Sequence, residues 1–258
     1  MKIRFQTLAV VAALLLHTVA SAQGTQPAIV LVHGAFAESS SWNGVIAVLE
    51  KDGYTVVAAA NPLRGVKSDA ASVASVVSSI KTPVVLVGHS YGGAVISEAA
   101  VGLANVKALV YVAAFAPDAG ETAAALSGKF PGSTLGPTIG APVPLTGGGN
   151  DLYIRQDRFP AQFAADVPLA EAKVMAATQR PIADAALAEA SGEPAWKTLP
   201  SWFVYGDQDR NIPPQAQAFM AERAHSKQTV VVRGASHVVM MSHPDAVAKL
   251  IEAAAASR

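Results

Sequence analysis

Val84-Val85-Leu86-Val87-Gly88-His89-Ser90-Tyr91-Gly92-Gly93 joins an apolar run to a glycine-rich turn, and this stretch decides the fold. Four successive apolar residues predict a strand that is buried on both faces. In residues 93–103 the apolar side chains recur at helical spacing, which predicts a helix directly after the turn. A serine on such a strand-to-helix turn is held in a strained conformation that exposes its hydroxyl group. Ser90 is therefore the candidate nucleophile.

The Gly-x-Ser-x-Gly pattern has little specificity by itself, because a chain of this length contains it by chance about one time in ten. The predicted strand and helix around Ser90 add that specificity. Gly88 and Gly92 remove side chains that would collide across the turn, and the start of the helix directs free N–H groups toward Ser90. A glycine-rich turn without a catalytic role is the alternative that this context disfavours.

Buried strands alternate with amphipathic helices over most of the chain. Apolar runs predict strands at residues 28–32, 54–60, 83–87, 108–113, 201–205 and 229–232. Helical spacing predicts helices at residues 41–51, 69–80, 93–103, 214–224 and 244–255. This order predicts an α/β fold with a mainly parallel, doubly wound sheet and helices on both of its faces.

The alternation is interrupted between about residues 118 and 200. Residues 131–150 are rich in Gly, Pro and Thr, and helical patterns return at residues 168–178 and 182–190. A long irregular stretch inside one domain is typical of a lid or a binding loop. We therefore expect a helical cap insertion over the carboxyl edge of the sheet. A disordered linker between two small domains is the alternative.

A serine hydroxyl needs a base at neutral pH, and His237 is the candidate among the six histidines. It follows the last predicted strand and the turn Gly234-Ala235-Ser236. Loops at the carboxyl edge of an open α/β sheet are where ligands bind. The preceding strand ends at Gly206 and is followed by two acids, Asp207 and Asp209. Either acid could orient the imidazole, and their spacing does not choose between them.

Two N–H groups are needed to bind the oxyanion that forms on an attacked carbonyl. One is expected from Tyr91, directly after the candidate nucleophile, and the other from Ala35 in the loop after the first strand. Gly34 allows the backbone of that loop to turn toward the substrate. Phe36, Tyr91 and Val238 are expected to line an apolar substrate pocket, although each of them would also fit an ordinary core position.

The N-terminus has the three parts of an export signal. Lys2 and Arg4 precede the apolar residues 8–16, and Ala20-Ser21-Ala22 offers a cleavage site for signal peptidase. The apolar run is shorter than the ~20 residues that a bilayer crossing requires. We therefore expect residues 1–22 to be removed and residues 23–258 to form an exported domain, periplasmic or secreted, with no stable membrane span.

The overall composition narrows the possible partners and cofactors. The chain has 19 basic and 19 acidic residues. It therefore lacks the excess of positive charge that is typical of proteins that bind nucleic acids. It contains no cysteine, which excludes a thiol nucleophile and a thiolate metal site. A small-molecule substrate is the expected partner. No metal and no organic cofactor are expected, and the composition indicates no particular oligomeric state.

Together these residues resemble the α/β-hydrolase superfamily over almost all of the chain that follows residue 22. In that family the acid is usually the fourth residue of a Gly-x-x-Asp group, so the resemblance selects Asp209 over Asp207. The matching motifs are Val32-His33-Gly34, Gly88-His89-Ser90-Tyr91-Gly92-Gly93, Gly206-Asp207-Gln208-Asp209 with Pro213, and Gly234-Ala235-Ser236-His237.

Within the superfamily, His33-Gly34-Ala35 and Trp42 look most like the serine esterases related to plant methyl esterases and hydroxynitrile lyases, and residues 177–181 are similar to related bacterial esterases. Such lyases carry a lysine directly after the catalytic histidine, where this chain has Val238. The resemblance implies hydrolysis of small carboxylic esters through an acyl-enzyme, without a cofactor. A cofactor-free haloperoxidase or perhydrolase, an acyltransferase with the same triad, and a non-catalytic binding protein are the alternatives.

Overall fold

A parallel six-stranded sheet forms the centre of the protein in a computed structural model, which describes residues 26–257. The predicted export signal, residues 1–22, lies outside the described residues. In chain order the strands are β1 (Ala28–Val32), β2 (Val56–Ala59), β3 (Val84–His89), β4 (Val106–Val112), β5 (Val143–Pro144), β6 (Asn150–Leu152), β7 (Ile182–Ala183), β8 (Ser201–Gly206) and β9 (Gln228–Val232).

The order of strands in the main sheet is β2-β1-β3-β4-β8-β9, and every pair of neighbours is parallel. The four inner strands are buried almost throughout, as their continuous apolar runs predict. The register pairs Val32 with Gly88 and His89 with Val112. The strands therefore end level with one another, and the loops that follow them meet at one edge of the sheet.

Helices cover both faces of this sheet. They are α1 (Asn43–Lys51), α2 (Val66–Ser79), α3 (Tyr91–Ala99), α4 (Ala123–Gly128), α5 (Phe159–Phe163), α6 (Leu169–Thr178), α7 (Asp184–Ala188), α8 (Pro214–Arg223), α9 (Val239–Ser242) and α10 (Pro244–Ala256), with short 3-10 helices at Ser39–Trp42, Gly136–Thr138 and Ala195–Lys197. In the sheet, β2 lies on one side of β1, and β3 and then β4 lie on the other side, so the connection from β1 to β2 runs opposite to the next two. Right-handed crossovers therefore place α1 opposite α2 and α3.

The predicted doubly wound α/β fold is confirmed, with shifts at several boundaries. The helix after the candidate nucleophile begins at Tyr91 rather than at residue 93, because Ser90 itself occupies the cap position. The strand predicted at 54–60 is limited to Val56–Ala59, the residues that pair with β1 at the sheet edge. Residues 182–190 divide into β7 and α7 instead of forming one helix.

Between β4 and β8 lies a stretch of short elements, which we call the inserted segment (residues 117–200). The rest of the described chain, residues 26–116 and 201–257, is called the sheet body. The inserted segment contains the small antiparallel sheet β5-β6-β7 and contributes buried side chains such as Phe159 and Phe163 to the core. The two parts are linked by the Arg64–Asp151 ion pair at 2.7 Å. Across the described residues, no helix combines the length and the hydrophobicity that a membrane crossing requires.

Candidate active site

Ser90 occupies the sharp turn between β3 and α3. Its φ of +54° is in a region that residues with a side chain seldom adopt. The conformation is held by backbone bonds, because Ser90 N–H donates to Val112 O at 3.2 Å and Phe115 N–H donates to Ser90 O at 3.1 Å. A Cβ on Gly88 would lie 2.6 Å from the Gly92 carbonyl oxygen, so glycine is required for this turn. The strain expected from the sequence is therefore present, and the hydroxyl is presented beyond the sheet edge.

His237 lies in the loop after β9 and reaches across to the candidate nucleophile. Its Nε2 is 2.9 Å from Ser90 Oγ, and its Nδ1 is 2.7 Å from Asp209 Oδ2. All three side chains are buried, with the imidazole only 1% exposed. The structure thus brings together the serine, the histidine and one of the two candidate acids in an unbroken chain of contacts.

The structure distinguishes the two candidate acids. Asp207 accepts a hydrogen bond from the N–H of Gly234 at 2.7 Å and is partly exposed, so it fixes the turn before His237. Asp209 is 4% exposed and is the acid in contact with His237. The side chain of Gln217, on α8, donates to the same carboxylate oxygen at 2.8 Å. Asp209 is therefore the acid whose position suits it to orient the imidazole.

The loop after β1 lies directly against Ser90. A Cβ added to Gly34 would be 2.6 Å from Ser90 Cβ and 3.1 Å from the backbone nitrogen of Tyr91, so only glycine permits this approach. Within residues 26–257, no acceptor pairs with the N–H of Ala35 or of Tyr91. The N–H of Phe36, in contrast, donates to Arg180 O at 2.9 Å. The two N–H groups predicted to bind an oxyanion are thus both unoccupied beside Ser90.

The side chain of Tyr91 holds the backbone N–H of the same residue in position. Its hydroxyl donates to Asp69 Oδ2 at 2.9 Å, and Asp69 is completely buried. Burial raises the pKa of Asp69, while the backbone N–H groups of Arg64 and Gly65 and the Tyr91 hydroxyl oppose that shift. Burial, and secondarily Asp69, raises the pKa of Tyr91. The phenol therefore stays protonated and holds the start of α3 in place.

Two further histidines support the site as neutral rings. Burial lowers the pKa of His33 to about 4, against the effect of its hydrogen bond to Gly34 O. His33 Nε2 accepts from the N–H of Asn61 at 3.0 Å, which leaves the proton on Nδ1. Burial, followed by the nearby His237, lowers the pKa of His89 well below its usual range. His89 Nε2 is 3.1 Å from His237 O, so this ring steadies the loop that carries His237.

A cavity of about 360 Å³ opens onto Ser90 and His237. Phe36 and Tyr91 line it as expected. Val238 does not, because its side chain is fully buried in the core beneath the loop. Most of the wall comes from the inserted segment and is apolar, and no Asp, Glu, Lys or Arg is among the lining residues. They are Ala35, Phe36, Ser90, Tyr91, Phe115, Ala123, Ala124, Ser127, Gly128, Ser133, Leu135, Gly136, Ile139, Leu152, Phe163, Leu187, Asn211, Ile212 and His237.

A sequence model of the alpha/beta hydrolase family matches residues 29–250. The chain belongs to the α/β hydrolase family. This hydrolase is 26% identical over 249 residues to an α/β hydrolase, nvfD, of Aspergillus novofumigatus. The aligned region covers 89% of this chain and 97% of the relative. Its fold is similar to a polyneuridine aldehyde esterase (TM-score 0.75) and to an Arabidopsis methylesterase (TM-score 0.71). Each of these is 19% identical and covers 88% of this chain and 98% of its own.

The hydrolase also contains site residues that the sequence patterns do not reveal. Phe163, on α5, places its ring 5.0 Å from the His237 ring and lines the cavity. Gln217 is 1% exposed and supports Asp209. Asn211 follows Asp209 by two residues and contributes to the cavity wall. Among these residues, only Gln217 could have been suspected from the sequence. It lies on the buried face of α8, and a buried polar side chain needs a hydrogen-bond partner.

Proposed function

We propose that this protein is a serine esterase that hydrolyses carboxylic esters of small molecules through an acyl-enzyme intermediate. The observation that carries the proposal is the chain of contacts from Ser90 Oγ to His237 Nε2 and from His237 Nδ1 to Asp209, at 2.9 and 2.7 Å. A serine hydroxyl in contact with a base that is itself oriented by a carboxylate is the arrangement that activates a nucleophile.

In the first half of the reaction, His237 accepts the proton of Ser90 while Ser90 Oγ attacks the ester carbonyl carbon. The carbonyl oxygen becomes an oxyanion, and the N–H groups of Ala35 and Tyr91 donate to it. Asp209 stabilises the imidazolium that forms. His237 then gives its proton to the leaving alcohol, and an acyl group remains on Ser90.

In the second half, a water molecule takes the place of the alcohol. His237 accepts a proton from that water, whose oxygen attacks the acyl carbon and forms a second oxyanion at the same two N–H groups. Collapse of this intermediate returns the proton from His237 to Ser90 and releases the carboxylic acid. The residues present suffice for every proton transfer in this sequence.

The test is the hydrolysis of p-nitrophenyl butyrate by the wild type, by Ser90→Ala and by Ser133→Ala. Ser133 lines the same cavity and is the matched control, since its hydroxyl makes no contact with His237. We expect Ser90→Ala to lose about 10⁶-fold in kcat and Ser133→Ala to change it by less than about threefold. Labelling by a fluorophosphonate probe should disappear in Ser90→Ala alone. Equal activity in wild type and Ser90→Ala would contradict the proposal.

We also propose that the enzyme is exported, on the strength of the charged, apolar and small-residue parts of residues 2–22. The mature chain is then expected to begin at Gln23. Sequencing of the N-terminus of protein purified from the periplasm or the medium tests this, and an active chain that retains Met1 inside the cell would count against it.

A further inference from the structure

One buried hydrogen-bond donor in the cavity wall has no partner. Asn211 lines the cavity with Ser90 and His237, and the residue is 3% exposed. Its Nδ2 pairs with no acceptor anywhere in residues 26–257. Other buried polar atoms of the described residues also lack partners, but none of them belongs to a residue of this cavity. A buried amide without a partner is unfavourable, so this position calls for an explanation.

The orientation of the Asn211 amide is fixed by its neighbours. Gln162 Nε2 donates to the carbonyl oxygen of Arg210 at 3.0 Å, and a carbonyl can only accept. The same Nε2 donates to Asn211 Oδ1 at 2.7 Å, and Thr134 Oγ1 donates to Gln162 Oε1 at 2.8 Å. Rotation of the Asn211 amide by half a turn would set two donors against each other. Nδ2 is therefore the atom that remains unpaired.

The position of Asn211 relative to the reacting groups is also fixed. Its backbone N–H donates to Asp209 Oδ1 at 2.8 Å, which ties it to the carboxylate that contacts His237. Its carbonyl oxygen accepts from Ser127 Oγ, in the inserted segment, at 3.3 Å. The unpaired amide thus belongs to a residue of the cavity wall that is hydrogen-bonded to both the sheet body and the inserted segment.

We propose that Asn211 Nδ2 is a specificity-determining donor, which binds a second oxygen atom of the substrate, distinct from the oxygen of the attacked carbonyl. This inference rests on the proposed esterase function. Because the wall of the cavity is largely apolar and holds no ionised carboxylate, ammonium or guanidinium group, the preferred substrate is an uncharged ester with a ketone, ether or hydroxyl oxygen in an otherwise apolar chain. A site with such a donor discriminates against an analogue that lacks the oxygen, because the donor then stays unpaired.

The experiment compares pairs of esters that have the same shape but differ in this oxygen. p-Nitrophenyl 4-oxopentanoate is paired with p-nitrophenyl 4-methylpentanoate, and equivalent pairs place the ketone or the methyl branch at carbon 3, at carbon 5, or on the alcohol side of a butyrate ester. The quantity measured is the ratio of kcat/KM for the two members of each pair. Because intrinsic reactivity is the same for every enzyme variant, a change in this ratio reports recognition of the oxygen.

We expect the ratio in at least one pair to favour the oxo ester, and to fall by about tenfold in Asn211→Leu and in the smaller Asn211→Ala. Asn43→Ala, which removes an exposed amide outside the cavity, should keep the wild-type ratio. The inference is overturned if no pair shows a change of ratio between the wild type and both Asn211 variants. If the wild type hydrolyses none of the esters and fluorophosphonate does not label Ser90, the esterase function itself fails. Thermal unfolding of each variant verifies that it is folded.

Discussion

The sheet body and the inserted segment contribute to the same cavity in different ways. The residues of the proposed mechanism all lie at the carboxyl edge of the sheet, and hydrogen bonds hold Ser90, Tyr91, Asp209 and His237 in place. The inserted segment contributes most of the apolar wall from elements of two to ten residues. We therefore expect changes at the sheet edge to affect the reaction step, and changes in the inserted segment to affect the binding of the apolar part of a substrate.

Replacement of the two neighbouring acids gives the largest contrast that we expect within the sheet body. Asp209→Asn should lower kcat by about 10⁴-fold, because the amide cannot stabilise the imidazolium and favours the wrong tautomer of His237. Asp207→Asn should remain within about threefold of wild type, since an amide oxygen can still accept from Gly234 N–H. Steady-state kinetics with p-nitrophenyl butyrate measures both. If Asp207→Asn were the more damaging change, the assignment of Asp209 would be wrong.

Addition of a methyl group should affect the sheet body and the inserted segment differently, because the space around the two glycines differs. Gly34→Ala should lower kcat by about 10²–10³-fold, because its Cβ would lie 2.7 Å from His89 O and the loop that carries Ala35 must move. Gly147→Ala, in the inserted segment, meets nothing within 4 Å and should behave like wild type. Comparison of kcat at saturating ester checks this. A fully active Gly34→Ala enzyme would exclude Ala35 as an oxyanion donor.

Acid should destabilise the sheet body through its buried histidines. His33 has a pKa of about 4 in the folded state and 6.5 as its ordinary value, so the unfolded chain binds more protons between these limits. Stability is therefore complete above pH 6.5 and is lost as the pH falls toward 4, by about 2 kcal/mol at pH 5 from His33 alone. Urea unfolding at pH 7.5 and 5.0 should show a smaller loss for His33→Gln than for wild type.

The exposed His225 provides the control for this measurement. His225→Asn should retain the wild-type loss of stability between the two pH values. The same loss in His33→Gln as in wild type would mean that the His33 ring does not stay neutral in the folded protein.

The smallest effect is expected in the wall of the cavity. Leu135→Ala should raise KM for an apolar ester by about fivefold with little change in kcat, because it removes roughly 1 kcal/mol of apolar contact that is equal in the ground and transition states. Leu169→Ala is the control, since that side chain is 60% exposed on α6. A fall in kcat with KM unchanged for Leu135→Ala would show that the inserted segment acts on the reaction step itself.

Much of the sheet body is predictable because its patterns are local. The apolar run before Ser90 predicts β3, and the order of serine, acid and histidine follows from the strand ends on which they lie. Spacing does not distinguish Asp209 from Asp207; the family resemblance selects Asp209, and Asp209 is the acid that contacts His237. The sequence predicts that Val238 lines the pocket, but its side chain is buried in the core. That burial depends on packing between distant elements, which a local sequence pattern does not predict.

By itself, the sequence determined the parallel sheet, the strained turn at Ser90 and the set of candidate groups, because strand periodicity and tight turns are encoded by neighbouring residues. Only the tertiary structure decided which side chains touch. The support of Asp209 by Gln217, the contact of Phe163 with His237 and the unpaired amide of Asn211 join residues that are distant in the chain or in different elements. Such contacts arise when separate elements of the sheet body and the inserted segment pack together, and their distances depend on the whole fold rather than on any one stretch of it.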